Sequence, residues 1–274
     1  MPPIGRRRFL CGLAGLVLGL VAGASSGPAA ASEGWTAHAS DHFQVFRRGD
    51  GDPVFAAQVS RAAERLYSWI QVDLGLDRVV KRHHLALWLW EGRCSIYLHR
   101  DRHEYLQATG APLWSGGFVR YRERVIHSYA DADSFLSSTL PHELAHILFR
   151  EFVGYDNPVV PRWLDEGVAQ YVEHRDSGTE WSEVREMAAR GRYLPFASLN
   201  RLHPGPDGSS ARIFYGQAAS LVHFLIQEYG AGRFVDFCSN LRDGYPVERA
   251  LSFATGGSLG SMEELEAVWR RFYR

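Results

Sequence analysis

Two histidines four residues apart, set in an otherwise apolar stretch, restrict this chain more than any other feature. They are His142 and His146 of His142-Glu143-Leu144-Ala145-His146, flanked by Leu140, Ile147 and Leu148. Positions i and i+4 of a helix lie one turn apart on one face, so the two imidazoles can share a cation only if the segment is helical. Leu140, Leu144, Ile147 and Leu148 give that helix an apolar side. It is therefore expected to be a core helix whose histidines sit in a sheltered pocket. Glu143 projects beside the shared face, where it is badly placed to join the imidazoles but can take a proton from water held near the cation. With 12 histidines in 274 residues such a spacing can arise by chance, so a second element is needed.

That element is Glu166, in Trp163-Leu164-Asp165-Glu166-Gly167-Val168-Ala169-Gln170-Tyr171. Zinc takes a third protein ligand in its catalytic sites and leaves the fourth position open. A carboxylate on the next helix, reached through a loop with Gly154 and Pro158, can supply it. Asp165 is about 100° further round that helix and cannot face the same ion equally. Asp165 or Gln170 can instead orient a histidine from behind; the sequence does not choose between them.

The pairing of H-E-x-x-H with W-L-x-E-G-x-A-x-Y resembles the gluzincin metallopeptidases, the thermolysin-like clan, and within it the exported peptidase MA-like branch. Further segments fit the same pattern: His42-Phe43, Leu113 to Gly117, Leu194-Pro195-Phe196 with Leu199, Tyr215 to Ser220, and residues 260–269. The resemblance implies an α+β, zincin-like fold, with a small mixed-sheet amino-terminal lobe (32–130) and a mainly helical carboxy-terminal lobe (131–274) in one domain. It makes His142, His146 and Glu166 the ligands of one Zn2+ and Glu143 the general base. It also calls for a tyrosine or histidine of the helical lobe to stabilise the oxyanion. Tyr215 is the first candidate, ahead of His223 and Tyr155. A peptide substrate is expected to lie along the edge of the strand after Gly116 and Gly117, where Gly117 either admits the substrate backbone or simply makes a turn. Two other readings use the same residues. A metal-containing module that only holds a peptide or wall component has no need of Glu143, and a zinc hydrolase of non-peptide amides would keep the whole motif.

Periodicity supports the α+β reading independently. Alternation marks strands at Asp41–Phe46, Leu85–Trp90, Ile96–Leu98 and within Gly117–Tyr129. Helical spacing marks 54–72, closed by Gly75, and 102–109, 133–152, 161–174, 182–190, 212–229, 231–241 and 262–273. The charges of Arg120–Arg124 read as a solvated strand face, and the histidines outside the motif as structural or solvated. The stretch 177–210 can wall the cleft or be a surface insertion. A composition 46% hydrophobic and 22% charged is that of a globular protein. A formal net charge of -1 gives no reason to expect nucleic acid or an anionic membrane as partner.

Residues 1–31 read as an export signal. Arg6-Arg7-Arg8 precede an apolar run from Phe9, and Ala29-Ala30-Ala31 offers a cleavage site. Arg6 to Leu10 is similar to a twin-arginine signal, though Gly5 departs from it. The expected location is periplasmic or extracellular, with an uncleaved anchor as the lesser alternative. Cys11 leaves with the signal. Cys94 and Cys238 are then either one disulfide or two separate buried thiols.

Overall fold

The computed structural model describes residues 34–83, 92–113, 115–130, 134–175, 180–202 and 209–274. The expected export signal (residues 1–31) and the strand expected at Leu85–Trp90 lie outside these. Five strands form one sheet: β1 (Trp35–Ala39), β2 (Phe43–Arg48), β3 (Cys94–His99), β4 (Phe118–Arg120) and β5 (Val125–Tyr129), in the order β1-β2-β3-β5-β4. The inner strands β2, β3 and β5 run parallel, and β1 and β4 close the edges antiparallel. The fold is α+β as expected.

Register sorts the side chains. Val45 pairs with Ile96 and Ile96 with Ile126; all three are buried in the core. One position on, Phe46, Tyr97 and His127 stand on the opposite face, as the two-residue period of a strand requires. There Phe46 stacks on Tyr97 at 4.7 Å and Tyr97 on His127 at 5.0 Å. Strand β1 escapes the sequence pattern because it is short and mostly exposed, and two of its three apolar positions are only alanine. Pairing with β2 holds it, and β2 itself runs two residues later than expected.

The stack contains a pH-sensitive pair, since His127 Nδ1 lies 3.1 Å from Nε2 of the buried His99. Burial, then His99 and Arg120, push His127 from its ordinary 6.5 down to about 3. Burial also lowers His99, against the pull of Glu104. Both imidazoles are thus neutral in the folded protein and charge more readily when unfolded. Their contribution is complete above about pH 6.5 and is lost as the pH falls towards 3. The urea midpoint of the parent is expected to drop between pH 7.5 and pH 5 by more than that of His127→Gln. Parallel losses in the two proteins would exclude the pair as the cause.

On the core side, α1 (Pro53–Asp73) starts with Asp52 accepting from the Val54 N–H and Pro53 in the first turn. Gly75, at φ +73°, ends it as expected. The short helices α2 (Leu76–His83), α7 (Phe196–Leu199) and α9 (Val247–Ala254) were not expected; each is too short to show a clear period. α3 is Arg102–Thr109, α6 is Glu180–Ala189 and α10 is Met262–Phe272. α8 (Ser209–Arg242) breaks at Gly230, whose φ of 80° and ψ of 155° separate the two helices read from the sequence.

The region expected as one helix over 133–152 is instead a π-turn (Phe135–Thr139) followed by α4 (Leu140–Val153). Eleven of the 14 residues of α4 are buried, so it is a core helix. Gly117 packs against this turn: a Cβ there would stand 2.5 Å from Thr139 Cγ2. Its lack of a side chain therefore serves the contact between sheet edge and π-turn. α5 (Arg162–His174) lies against the main chain of α8 just as closely. A Cβ on Gly167 would meet the Ala218 carbonyl oxygen at 2.5 Å. The hydrophobic core is continuous from Phe43 and Ile96 of the sheet to Phe224 and Trp269 of the helices. Cys94 and Cys238 are two separate buried thiols, both held above the ordinary range by burial.

Candidate metal centre

Helices α4 and α5 bring His142, His146 and Glu166 together. One ligand atom from each lies within 4.8 Å of the others, and all three side chains are buried. The helix turn between His142 and His146 sets their rings 4.9 Å apart, and His146 Nε2 stands 3.7 Å from Glu166 Oε2.

Each histidine is held from behind by a carboxylate of α5. Asp165 Oδ1 is 2.9 Å from His146 Nδ1, and Glu173 Oε2 is 2.9 Å from His142 Nδ1. Such contacts fix the ring and its tautomer, so that Nε2 is the atom left for a cation. Asp165 is one of the two residues expected in this role. The other, Gln170, is displaced by Glu173: its Nε2 is 3.4 Å from His142 Nδ1 but 3.2 Å from Glu173 Oε2. Glu173 follows Glu166 by two helical turns, and that spacing was the signal available for it. Ser138 of the π-turn donates to its second oxygen. Arg150 braces Asp165, with Nε at 3.1 and 3.0 Å from the two oxygens. Burial disfavours an ionised Asp165, but His146 and Arg150 outweigh it and hold the carboxyl well below its usual range.

The set fits a cation. His146 Nε2 is buried and has no hydrogen-bond partner, an unfavourable state for a polar atom unless something else binds it. The surrounding charge points the same way. Burial opposes an imidazolium at His142, yet the Glu173 hydrogen bond and the charges of Glu143, Glu173 and Glu166 raise it to about 9. A pocket that draws a proton so strongly onto a buried ring favours a positive ion. Imidazole and carboxylate donors on this spacing suit zinc.

Glu143 is buried beside the cluster, and Tyr121 donates to its Oε2 at 3.1 Å. Tyr121 also meets the His146 ring edge-on at 5.7 Å and lies 4.1 Å under the Arg150 guanidinium. The expectation of a solvated strand face over Arg120–Arg124 holds for the charges of Arg120, Arg122 and Glu123, which are exposed, and is corrected for Tyr121 and Arg124, which are half-buried. Residues 121–124 form the β4–β5 turn, which folds over α4. Arg124 Nε donates to Glu151 at 3.1 Å, and Tyr121 enters the site. A tyrosine between arginines on a short turn gives no periodic signal, so sequence reasoning missed it.

Of the candidate oxyanion donors, Tyr215 is near the ligands. Arg162 Nη2 is 3.4 Å from its hydroxyl, and Arg162 Nε is 3.4 Å from Glu166 Oε1. His223 is engaged elsewhere, 2.6 Å from the Tyr273 hydroxyl and stacked on Trp181. Tyr155 packs beneath Arg122.

Removing the carboxylate behind His142 has a defined consequence. Glu173→Gln is expected to weaken zinc about 10- to 100-fold, as loss of such outer partners does. Competition with a chelator of known affinity measures this, and an unchanged affinity would deny Glu173 the role.

Compared with known proteins, the chain matches the family model of the Peptidase MA superfamily over residues 79–274, a span that includes α4, α5 and α8. No curated protein matches it.

Proposed function

The chain belongs to the peptidase MA superfamily, and from that premise we propose that it is a zinc-dependent peptidase with Glu143 as general base. The observation that carries this reading is His146 Nε2, buried without a partner and 3.7 Å from Glu166, on a ring already fixed at Nδ1. His142, His146 and Glu166 would hold the zinc, which when bound acidifies water towards a pKa of about 7 and polarises a carbonyl. Glu143 takes the proton of the attacking water and returns it to the leaving amine. Tyr121 occupies its Oε2, and Oε1 has no hydrogen bond among the described residues, so it is the oxygen available for that exchange. Burial, then the charge of Glu166, raises the Tyr215 hydroxyl above its ordinary range. Tyr215 thus stays protonated at neutral pH and can donate to an oxyanion. Strand β4 is a sheet edge beside the site, where an extended peptide can add as a further strand.

The signal-like pattern of residues 1–31 supports activity outside the cytoplasm. Digestion of a peptide library by zinc-loaded protein tests the reading, and failure to cut any peptide would overturn it. On a cleaved peptide, Tyr215→Phe is expected to lower kcat about 10²- to 10³-fold, the usual effect of losing one oxyanion donor, with KM little changed. An unaltered kcat would remove Tyr215 from the mechanism.

A further inference from the structure

Two arginines reach this centre and are bound very differently. Arg150 gives its fork to Asp165 and its face to Tyr121. Arg162, in the first turn of α5, makes two long contacts: Nε to Glu166 Oε1 at 3.4 Å and Nη2 to the Tyr215 hydroxyl at 3.4 Å. Both are at the outer limit of hydrogen bonding. Its Nη1 has no hydrogen bond among the described residues, and Glu166 is its one acidic partner there. The side chain keeps 23% of its surface exposed.

Glu166 is a poor counter-charge for it. Its other oxygen faces His146, and a carboxylate that serves a divalent ion has little charge left for a neighbouring guanidinium. A dication held by two neutral imidazoles and one carboxylate keeps a positive charge of its own. Glu143 is the nearby base, and its Oε2 is already engaged by Tyr121. Arg162 therefore adds a half-buried cation with Nη1 unfilled and only long contacts at Nε and Nη2, so the edge of its fork is poorly occupied. The partner that completes such an edge is a second carboxylate, bound through two parallel N–H donors.

We infer that Arg162 is a carboxylate receptor in the cleft, which gives the enzyme a preference for peptides with an acidic group next to the scissile bond. The inference rests on the zinc-peptidase reading of the same site. Arg162 touches both Glu166 and Tyr215, so a carboxylate on it lies within a residue or two of the reacting carbonyl, a residue spanning at most about 3.6 Å. The group is either the carboxy terminus of the substrate or an Asp or Glu side chain, and the experiment separates the two.

The test is binding, measured by calorimetry on zinc-loaded Glu143→Gln protein. The probes are acetyl-Ala-Gly-Phe-Leu-Ala as the free acid, the same peptide as its amide, and amides carrying Asp or Asn at each position in turn. At least one acidic probe is expected to bind about tenfold or more tightly than its neutral twin, the order of a charge-assisted bidentate contact. Preference for the free acid identifies a carboxy-terminal group; preference for an Asp probe identifies a side chain. Adding Arg162→Gln should abolish the preference. Arg162→Lys should lose most of it, because an ammonium has no fork.

Equal binding of acidic and neutral probes, including no binding, overturns the inference, as does a preference that survives Arg162→Gln. Loss of zinc in both Arg162 variants also overturns it and makes Arg162 a support for Glu166. None of these outcomes depends on hydrolysis. Failure of the parent to cut any peptide would instead count against the peptidase reading.

Discussion

Glu143→Gln is expected to bind zinc as the parent does, fold as the parent does, and lose about 10²- to 10⁴-fold in kcat, the contribution of a positioned general base. The substitution changes little else. Glutamine keeps the length of the side chain and an oxygen that can accept from the Tyr121 hydroxyl, now 3.1 Å from Oε2. Glu143 is buried on a core helix, so a polar replacement of the same shape avoids the cost of an unfilled or unpaired site. What disappears is the ability to take up a proton. Because the effect falls on the chemical step, KM should hardly move. Metal content, steady-state kinetics on a peptide cut by the parent, and the melting temperature together decide the matter. A variant with full zinc and undiminished kcat would end the general-base assignment, and a variant without zinc would make Glu143 part of the ligand set.

Glu166→Ala should reduce bound zinc from one ion per chain to near none. Loss of an outer partner such as Glu173 costs about 10- to 100-fold in affinity, and loss of a direct ligand must exceed that, because two imidazoles cannot complete the coordination that a structural or catalytic zinc adopts. The folded protein should survive: Glu166 is one residue of a well-packed helix whose neighbours Trp163, Leu164 and Val168 are buried. The parent should gain thermal stability on adding zinc, through preferential binding to the folded state, and Glu166→Ala should not. Retention of stoichiometric zinc in Glu166→Ala would place the third ligand elsewhere and leave Glu166 as no more than a partner for Arg162.

Much of this centre was legible before the fold was known, for a physical reason. The spacing of His142 and His146 is a property of the helix itself, and the apolar residues Leu140, Leu144, Ile147 and Leu148 guarantee that this helix is buried. Glu166 needed only a second helix close by, which α5 provides. The outer partners were harder. Asp165 was visible beside Glu166, but Glu173 was overlooked, because the choice between it and Gln170 depends on the rotation of α5 about its axis. Tyr121 and Arg162 were invisible in a different way. The first sits on a turn that folds back over α4, and the second makes contacts 53 residues distant in sequence with Tyr215. Neither has a local pattern to betray it. In the fold, the helices with clean periods were found, the break at Gly230 included. Strand β1 was missed because its place is dictated by hydrogen bonding to β2 and not by apolar burial.

Gly167 follows Glu166 directly, and its α-carbon rests on the main chain of α8 with no room for even a methyl group. α8 thus works as a straightedge against which the proposed third ligand is ruled. The depth at which Glu166 enters the candidate site is set by a neighbour that has no side chain to offer an ion. Drift among the inward residues of that long helix would be felt at Glu166.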